Sequence, residues 1–142
     1  MAIKKKENLL RENKKAIEQN LRYALQKHEE ISFAYLHGSF VEKNEFRDID
    51  IAVYLKDIPA SILEYELQME AELITLTNCI IDVRVLNTSP LSFRYHVIRK
   101  GIPLVVRDED ERAEFQEATL SRYFDFAFYR DMYLRETLGL TV

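Results

Sequence analysis

A chain of 142 residues is the length of one domain and can bury a core, and a hydrophobic content of 47% is ordinary for a globular protein. Twenty basic and 24 acidic residues leave a net charge of −4, so no global field favours nucleic acid; the single cysteine, Cys79, excludes an intrachain disulfide and any zinc site of several cysteines, and fits a reducing compartment. No apolar run approaches the ~20 residues of a membrane span, and Lys4-Lys5-Lys6 is followed by charge instead of a signal-peptide core, so the expected location is the cytoplasm.

Residues 6–29 read as a helix, with Leu9, Leu10, Ile17, Leu21, Ala24 and Leu25 at helical spacing between charged positions. Lys4, Lys5, Lys6, Lys14 and Lys15 read as its solvated face. Ile31 to Leu36 is a short apolar strand ended by His37-Gly38-Ser39, and Asp48 to Leu55 is a second strand. Pro59 is expected to open a helix over 59–77 that carries Ile62, Leu63, Leu67, Met69, Leu73, Ile74 and Leu76 on apolar positions. Cys79 to Leu86 reads as a third strand with Cys79 in the core. Thr88-Ser89-Pro90 looks like a cap and start for a helix up to Lys100, which Gly101 stops. Ile102 to Val106 is a short strand, and 108–138 reads as one long helix or two short ones. The order α-β-β-α-β-α-β-α predicts an α/β (α+β) two-layer sandwich, a small mixed sheet flanked by helices. One domain is expected over 1–142: an N-terminal helix at 6–29, a core at 30–106 and a helical tail at 108–138.

Chemistry concentrates in Leu36-His37-Gly38-Ser39-Phe40 and Arg47-Asp48-Ile49-Asp50-Ile51. Residues i and i+2 of a strand share a face, so Asp48 and Asp50 should point one way and Ile49 and Ile51 the other. Asp82 sits in the apolar run Ile80 to Leu86. Carboxylates about 6 Å apart repel by roughly 3 kcal/mol at an effective dielectric of 20. A cation would relieve this, and a cluster of hard oxygens suits Mg²⁺ or Mn²⁺ with phosphate oxygens as further ligands. Gly38 lets backbone approach a ligand, and Ser39 offers a hydroxyl and an N–H. A helical turn over 40–43 would add amides, and Lys43 and Arg47 would add positive charge against a triphosphate. Each piece alone also has a plain structural reading: an Asp-x-Asp can cap a loop, and Asp82 can pair with Arg84. His37 reads as a site-lining or a structural residue. His28 and His96 read as surface or satisfied residues in helices.

Gly38-Ser39, Asp48-Ile49-Asp50 and Asp82 together resemble the signature of the minimal nucleotidyltransferase family, within the DNA polymerase β-like superfamily. Val85-Leu86-Asn87 with Pro90, Val97 to Leu104, and the tail from Arg112 to Arg135 also look like the family's later elements. More narrowly the chain is similar to MntA-type antitoxins, whose partners are HEPN-domain toxins. The resemblance implies a nucleotidyltransferase fold and an enzyme that transfers AMP from ATP to a toxin tyrosine. It also implies Mg²⁺ or Mn²⁺ held by Asp48, Asp50 and Asp82, and phosphates held by Gly38, Ser39, Lys43 and Arg47. Asp82 would orient or deprotonate the acceptor hydroxyl. The sequence departs from the subgroup in a shorter spacer between Ser39 and Asp48 and in an acid at Glu42. The competing readings are an antitoxin that acts by occlusion without catalysis and a small-molecule nucleotidyltransferase. The near-helical aromatic run Tyr123, Phe124, Phe126, Phe128, Tyr129 and Tyr133 exceeds one core stripe, and the surplus could meet a partner protein or a second copy.

Overall fold

The computed structural model describes the backbone of residues 2–139 and the side chains of residues 13–139. The chain runs α1 (Ala2–Gln26), β1 (Ile31–His37), α2 (Ser39–Glu42), β2 (Ile49–Leu55), α3 (Ile62–Thr77), β3 (Ile81–Val85), a 3-10 turn (Leu86–Thr88), α4 (Leu91–Lys100), β4 (Ile102–Val106) and α5 (Glu109–Leu138). The strands form one mixed sheet in the order β3-β2-β1-β4. β1 is antiparallel to β2 and β4, while β2 and β3 are parallel and joined by α3, the crossover that a parallel pair requires. A small mixed sheet flanked by helices is what the sequence order predicted, but helices cover both of its faces, where two layers were expected.

β1 and β2 are the central strands, so both of their faces need apolar cover. On one face Ala34, Leu36, Ile49, Ile51 and Val53 pack with Leu21 and Leu25 of α1 and with Met69 and Leu73 of α3. On the other, Phe33, Tyr35 and Ala52 pack with Val97 of α4 and Phe115 of α5. Helix side chains close both sheet edges, which would otherwise invite pairing with another chain. Val83 and Val85 of β3 donate their N–H groups to Glu70 and Glu66 at 3.0 Å each. Arg22 of α1 donates to the Leu104 carbonyl of β4 at 2.9 Å.

Several boundaries differ from expectation. α3 begins at Ile62, not Pro59, because the Ser61 side chain accepts from Glu64 N at 3.1 Å and caps the helix there. Of its apolar residues only Met69 and Leu73 are buried, and Ile62 is half-buried; Leu63, Leu67, Ile74 and Leu76 are exposed. α1 ends at Gln26 because the Arg107 guanidinium holds the following turn, donating to the carbonyls of Gln26, His28 and Ile31. β3 is shorter than 79–86: Cys79 lies half-buried at the margin of the core and Leu86 opens the 3-10 turn. The tail is one helix; Phe115 and Thr119 are buried, Tyr123 stacks on Tyr95 at 3.6 Å, and Phe124, Phe126, Phe128, Tyr129 and Tyr133 are exposed. Lys15 is exposed as expected, but Lys14 is half-buried and donates to the Phe40 carbonyl at 2.9 Å. The face expected at Lys4, Lys5 and Lys6 lies outside the described side chains.

The 3-10 turn is tied to the sheet by Asn87, whose side chain accepts from Leu55 N and donates to Leu55 O, both at 2.9 Å. Replacing it by alanine strands two backbone groups at the end of β2. Asn87→Ala is expected to lower stability by about 1–3 kcal/mol in urea denaturation.

Candidate functional site

Strand pairing builds the site. Antiparallel pairing places His37 of β1 opposite Asp50 of β2, and parallel pairing places Asp82 of β3 beside Asp50 on the other side. One row across the sheet therefore reads His37, Asp50, Asp82, with neighbouring Cβ atoms about 5 Å apart. Ile49 and Ile51 face the core with α1 and α3, so Asp50 points to the opposite face, as the alternation predicts. Asp48 is not in the strand. The first ladder bond runs from Ile49 N to Ile80 O at 2.9 Å, which leaves Asp48 exposed one residue ahead of β2.

Gly38 turns the chain from β1 into α2 at φ 78° and ψ −157°. Only glycine adopts this region readily. The turn lies directly against Asp50: a Cβ at Gly38 would overlap the Asp50 carboxylate. The Ser39 hydroxyl donates to the Asp48 carbonyl at 3.3 Å, joining the two motifs across the spacer. α2 is the helical turn anticipated in the spacer, and Glu42 faces Lys100 at 4.0 Å.

Two clefts meet at Asp50. One, of about 410 Å³, is lined by Ser39, Lys43, Glu45, Phe46, Arg47, Asp48 and Asp50. It gathers the cations and the hydroxyl that the sequence assigned to phosphate. The other, of about 490 Å³, includes His37, Asp50, Asp82, Arg84, Pro90 and Phe93 among its walls. The expected site residues Gly38, Ser39, Lys43, Arg47, Asp48, Asp50 and Asp82 thus lie around one end of the sheet. Sequence reasoning left unassigned the cleft walls formed by Phe93, Pro90 and Glu66, which come from α3 and the start of α4. No local motif marks Phe93 or Glu66, because they reach the cleft only through packing.

Charge is unevenly compensated in this row. Burial, then the charges of Asp82 and Asp48, push the Asp50 carboxyl above its ordinary value, with Arg84 opposing. Asp82 does pair with Arg84, at 3.2 Å between half-exposed side chains. Among the described residues no three such ligands are gathered tightly enough to cage a metal ion by themselves. The donor set nevertheless fits Mg²⁺, which takes one or two carboxylates and fills the rest of its shell with phosphate oxygens and water. The crowding that raises Asp50 is what a cation would relieve.

His37 is buried and meets Phe93 edge-on at 5.4 Å, and its Nε2 has no hydrogen-bond partner among the described residues. Burial, with help from His96, pushes its imidazole down to about 4. The ring is therefore neutral at pH 7. An unfolded histidine takes its proton near 6.5, so the unfolded chain binds the extra proton between about 6.5 and 4. Stability contributed by the neutral ring is present above 6.5 and is lost as pH falls through that window. In metal-free buffer, His37→Phe should remove about 2 kcal/mol of the loss in unfolding free energy between pH 7 and pH 5. Urea titrations at the two pH values test this; identical slopes with pH in both proteins would refute it.

Known proteins match this chain in domain family and in fold. A family model described as polymerase beta, nucleotidyltransferase, matches residues 19–110, which includes all three aspartates and the Gly-Ser turn. No curated protein matches the sequence. A crystal structure of a toxin–antitoxin with AMP-PNP is similar at a TM-score of 0.69 and 22% identity, over 85% of this chain and 98% of that one. A tri-AMPylated Shewanella oneidensis HEPN toxin in complex with an MNT antitoxin gives a TM-score of 0.64 at 21% identity, over 91% of this chain and 98% of that one. The toxin–antitoxin MntA–HepT gives 0.63 at 20% identity, over 90% and 98%. With the family model spanning well over half the chain, and the Gly-Ser turn and acidic row in place at one end of a mixed sheet, the chain belongs to the polymerase β nucleotidyltransferase family.

Proposed function

We propose that the chain, acting as one unit over 1–142, transfers AMP from ATP to a hydroxyl of a HEPN-domain toxin and thereby serves as its antitoxin. The observation that carries this is the meeting at Asp50 of one cleft that holds Ser39, Lys43 and Arg47 and a second that holds His37 and Phe93, beside Asp48 and Asp82. Solved relatives of the same fold include one with AMP-PNP and one with an AMPylated toxin.

In this reading Ser39, Lys43 and Arg47 hold the triphosphate in the first cleft, and Gly38 leaves Asp50 the space to face it. Asp48, Asp50 and Asp82 would hold Mg²⁺ or Mn²⁺, which when bound neutralises the triphosphate and aligns its α-phosphorus with the acceptor. The acceptor hydroxyl, a tyrosine in this proposal, enters by the second cleft. Asp82 orients it and takes its proton. The hydroxyl oxygen forms the new bond to the α-phosphorus, the bond to the β-phosphate oxygen breaks, and pyrophosphate leaves. Neither cleft is assigned to nucleic acid. Among the described residues no helix is long and apolar enough to cross a membrane.

The deciding test is the intact mass of the cognate HEPN protein after incubation with this chain, ATP and Mg²⁺, with Asp48→Asn as control. A gain in whole AMP units that the control lacks supports the proposal. A stable complex with no gain points to occlusion without catalysis. Neither gain nor complex points to a small-molecule acceptor.

A further inference from the structure

Lys14 stands apart from both clefts yet touches the segment that shapes one of them. Its Nζ donates to the carbonyl of Phe40 at 2.9 Å and to the carbonyl of Lys43. The same ammonium lies over the rings of Phe40 and Phe46, at 5.3 and 5.6 Å. Those two rings meet edge-on at 4.7 Å, which closes the segment on itself. Burial pushes the Lys14 ammonium below its ordinary value, as expected for a charge drawn out of water.

The segment needs such a tie. α2 has only four residues, too few to hold a helix without outside support. Its last carbonyls have no intrahelical partner, and a cation at that end both satisfies them and suits the helix dipole. α1 is a firm anchor, since Leu21 and Leu25 are fully buried and Arg22 is bonded to β4. The segment so tied runs from Ser39 through Lys43 to Arg47 and Asp48, the residues around the first cleft.

We propose that Lys14 is a positioning residue, whose ammonium fixes the 39–48 segment in the shape that sets Ser39, Lys43, Arg47 and Asp48 around the first cleft. It acts through backbone carbonyls and aromatic faces and touches no substrate. Charge-assisted bonds to two carbonyls make its contribution depend on the charged head, not on the alkyl stem. The nucleotide part of the test rests on the nucleotidyltransferase reading above; the exchange part does not.

The experiment compares wild type with K14M, K14Q and K14R. Amide hydrogen exchange is read in the absence of ligand, AMP-PNP affinity by calorimetry with Mg²⁺, and KM and kcat for ATP. K14M and K14Q should speed exchange within 39–48 by about tenfold and leave the amides of β1 and β2 unchanged. Both should weaken AMP-PNP binding and raise KM by about tenfold with kcat held within about threefold, and K14R should recover most of each effect. Wild-type exchange in 39–48 in both neutral variants would overturn the proposal. So would a uniform rise in exchange across the whole sheet, or failure of both neutral variants to fold, since each marks a general structural role. If the wild-type protein binds no AMP-PNP while the exchange pattern is as expected, the nucleotide reading fails and the clamp stands.

Discussion

Asp50→Asn is expected to reduce nucleotidyl transfer by more than about 100-fold and, at the same time, to make the protein more stable. The activity estimate follows from metal chemistry: losing an outer-shell partner already costs about 10–100-fold in affinity or rate, and Asp50 is proposed as a direct ligand. The stability expectation follows from its surroundings. Burial, Asp82 and Asp48 raise the Asp50 carboxyl in the folded chain. An acid raised on folding binds its proton more tightly in the native state, so its contribution is favourable below the unfolded value. That contribution is lost as pH rises through the folded one. At pH 7 the ionised side chain therefore opposes folding, and the neutral amide does not. The melting temperature of Asp50→Asn in metal-free buffer should exceed that of wild type at pH 7. The gap should close as pH falls toward the carboxylate range. Full transfer by the purified variant would remove Asp50 from the site, and a lower melting temperature at pH 7 would reject the electrostatic account.

Gly38→Ala should fail in both respects. Its φ of 78° and ψ of −157° lie where other residues are strained by about 1–3 kcal/mol. The added methyl would also overlap the Asp50 carboxylate, with Cγ at 3.0 Å and Cβ at 3.3 Å. Asp50 must then move or the turn must open, and a displacement of about 1 Å at a reacting centre is enough for a 100-fold loss. Urea denaturation should show the stability loss and the transfer assay about that loss in rate. Gly139→Ala is the control: its φ of 65° is also positive, but a Cβ there meets nothing within 4 Å among the described residues. It should cost about 1 kcal/mol of backbone strain and leave transfer unchanged. Equal activity in the two variants would show that the contact between Gly38 and Asp50 has no bearing on the reaction.

Much of this site was legible because strands and turns obey local rules. A period of two placed Ile49 and Ile51 in the core and Asp50 on the other face, without knowledge of any neighbour. A glycine followed by serine at the end of an apolar run announced a turn at Gly38, and the turn is there. Asp48 was less legible: alternation assigned it to β2, but ladder bonding starts one residue later and leaves it exposed at the mouth of the site. The start of α3 likewise turned on a side-chain bond from Ser61, which outweighed the signal from Pro59.

By itself, then, the sequence determined the order of the main elements, the face on which Asp50 lies and the grouping of Gly38, Ser39, Asp48 and Asp50 within one short stretch. These depend on backbone sterics and side-chain alternation over a few residues. Tertiary structure alone decided that β2 lies between β1 and β3, which sets Asp82 and His37 on either side of Asp50. It also decided that Phe93 and Glu66 wall the second cleft, and that Lys14 reaches across to Phe40 and Lys43. Each of these joins residues far apart in the chain, and such pairings are set by how the sheet and helices pack, not by any pattern that a local stretch of residues carries.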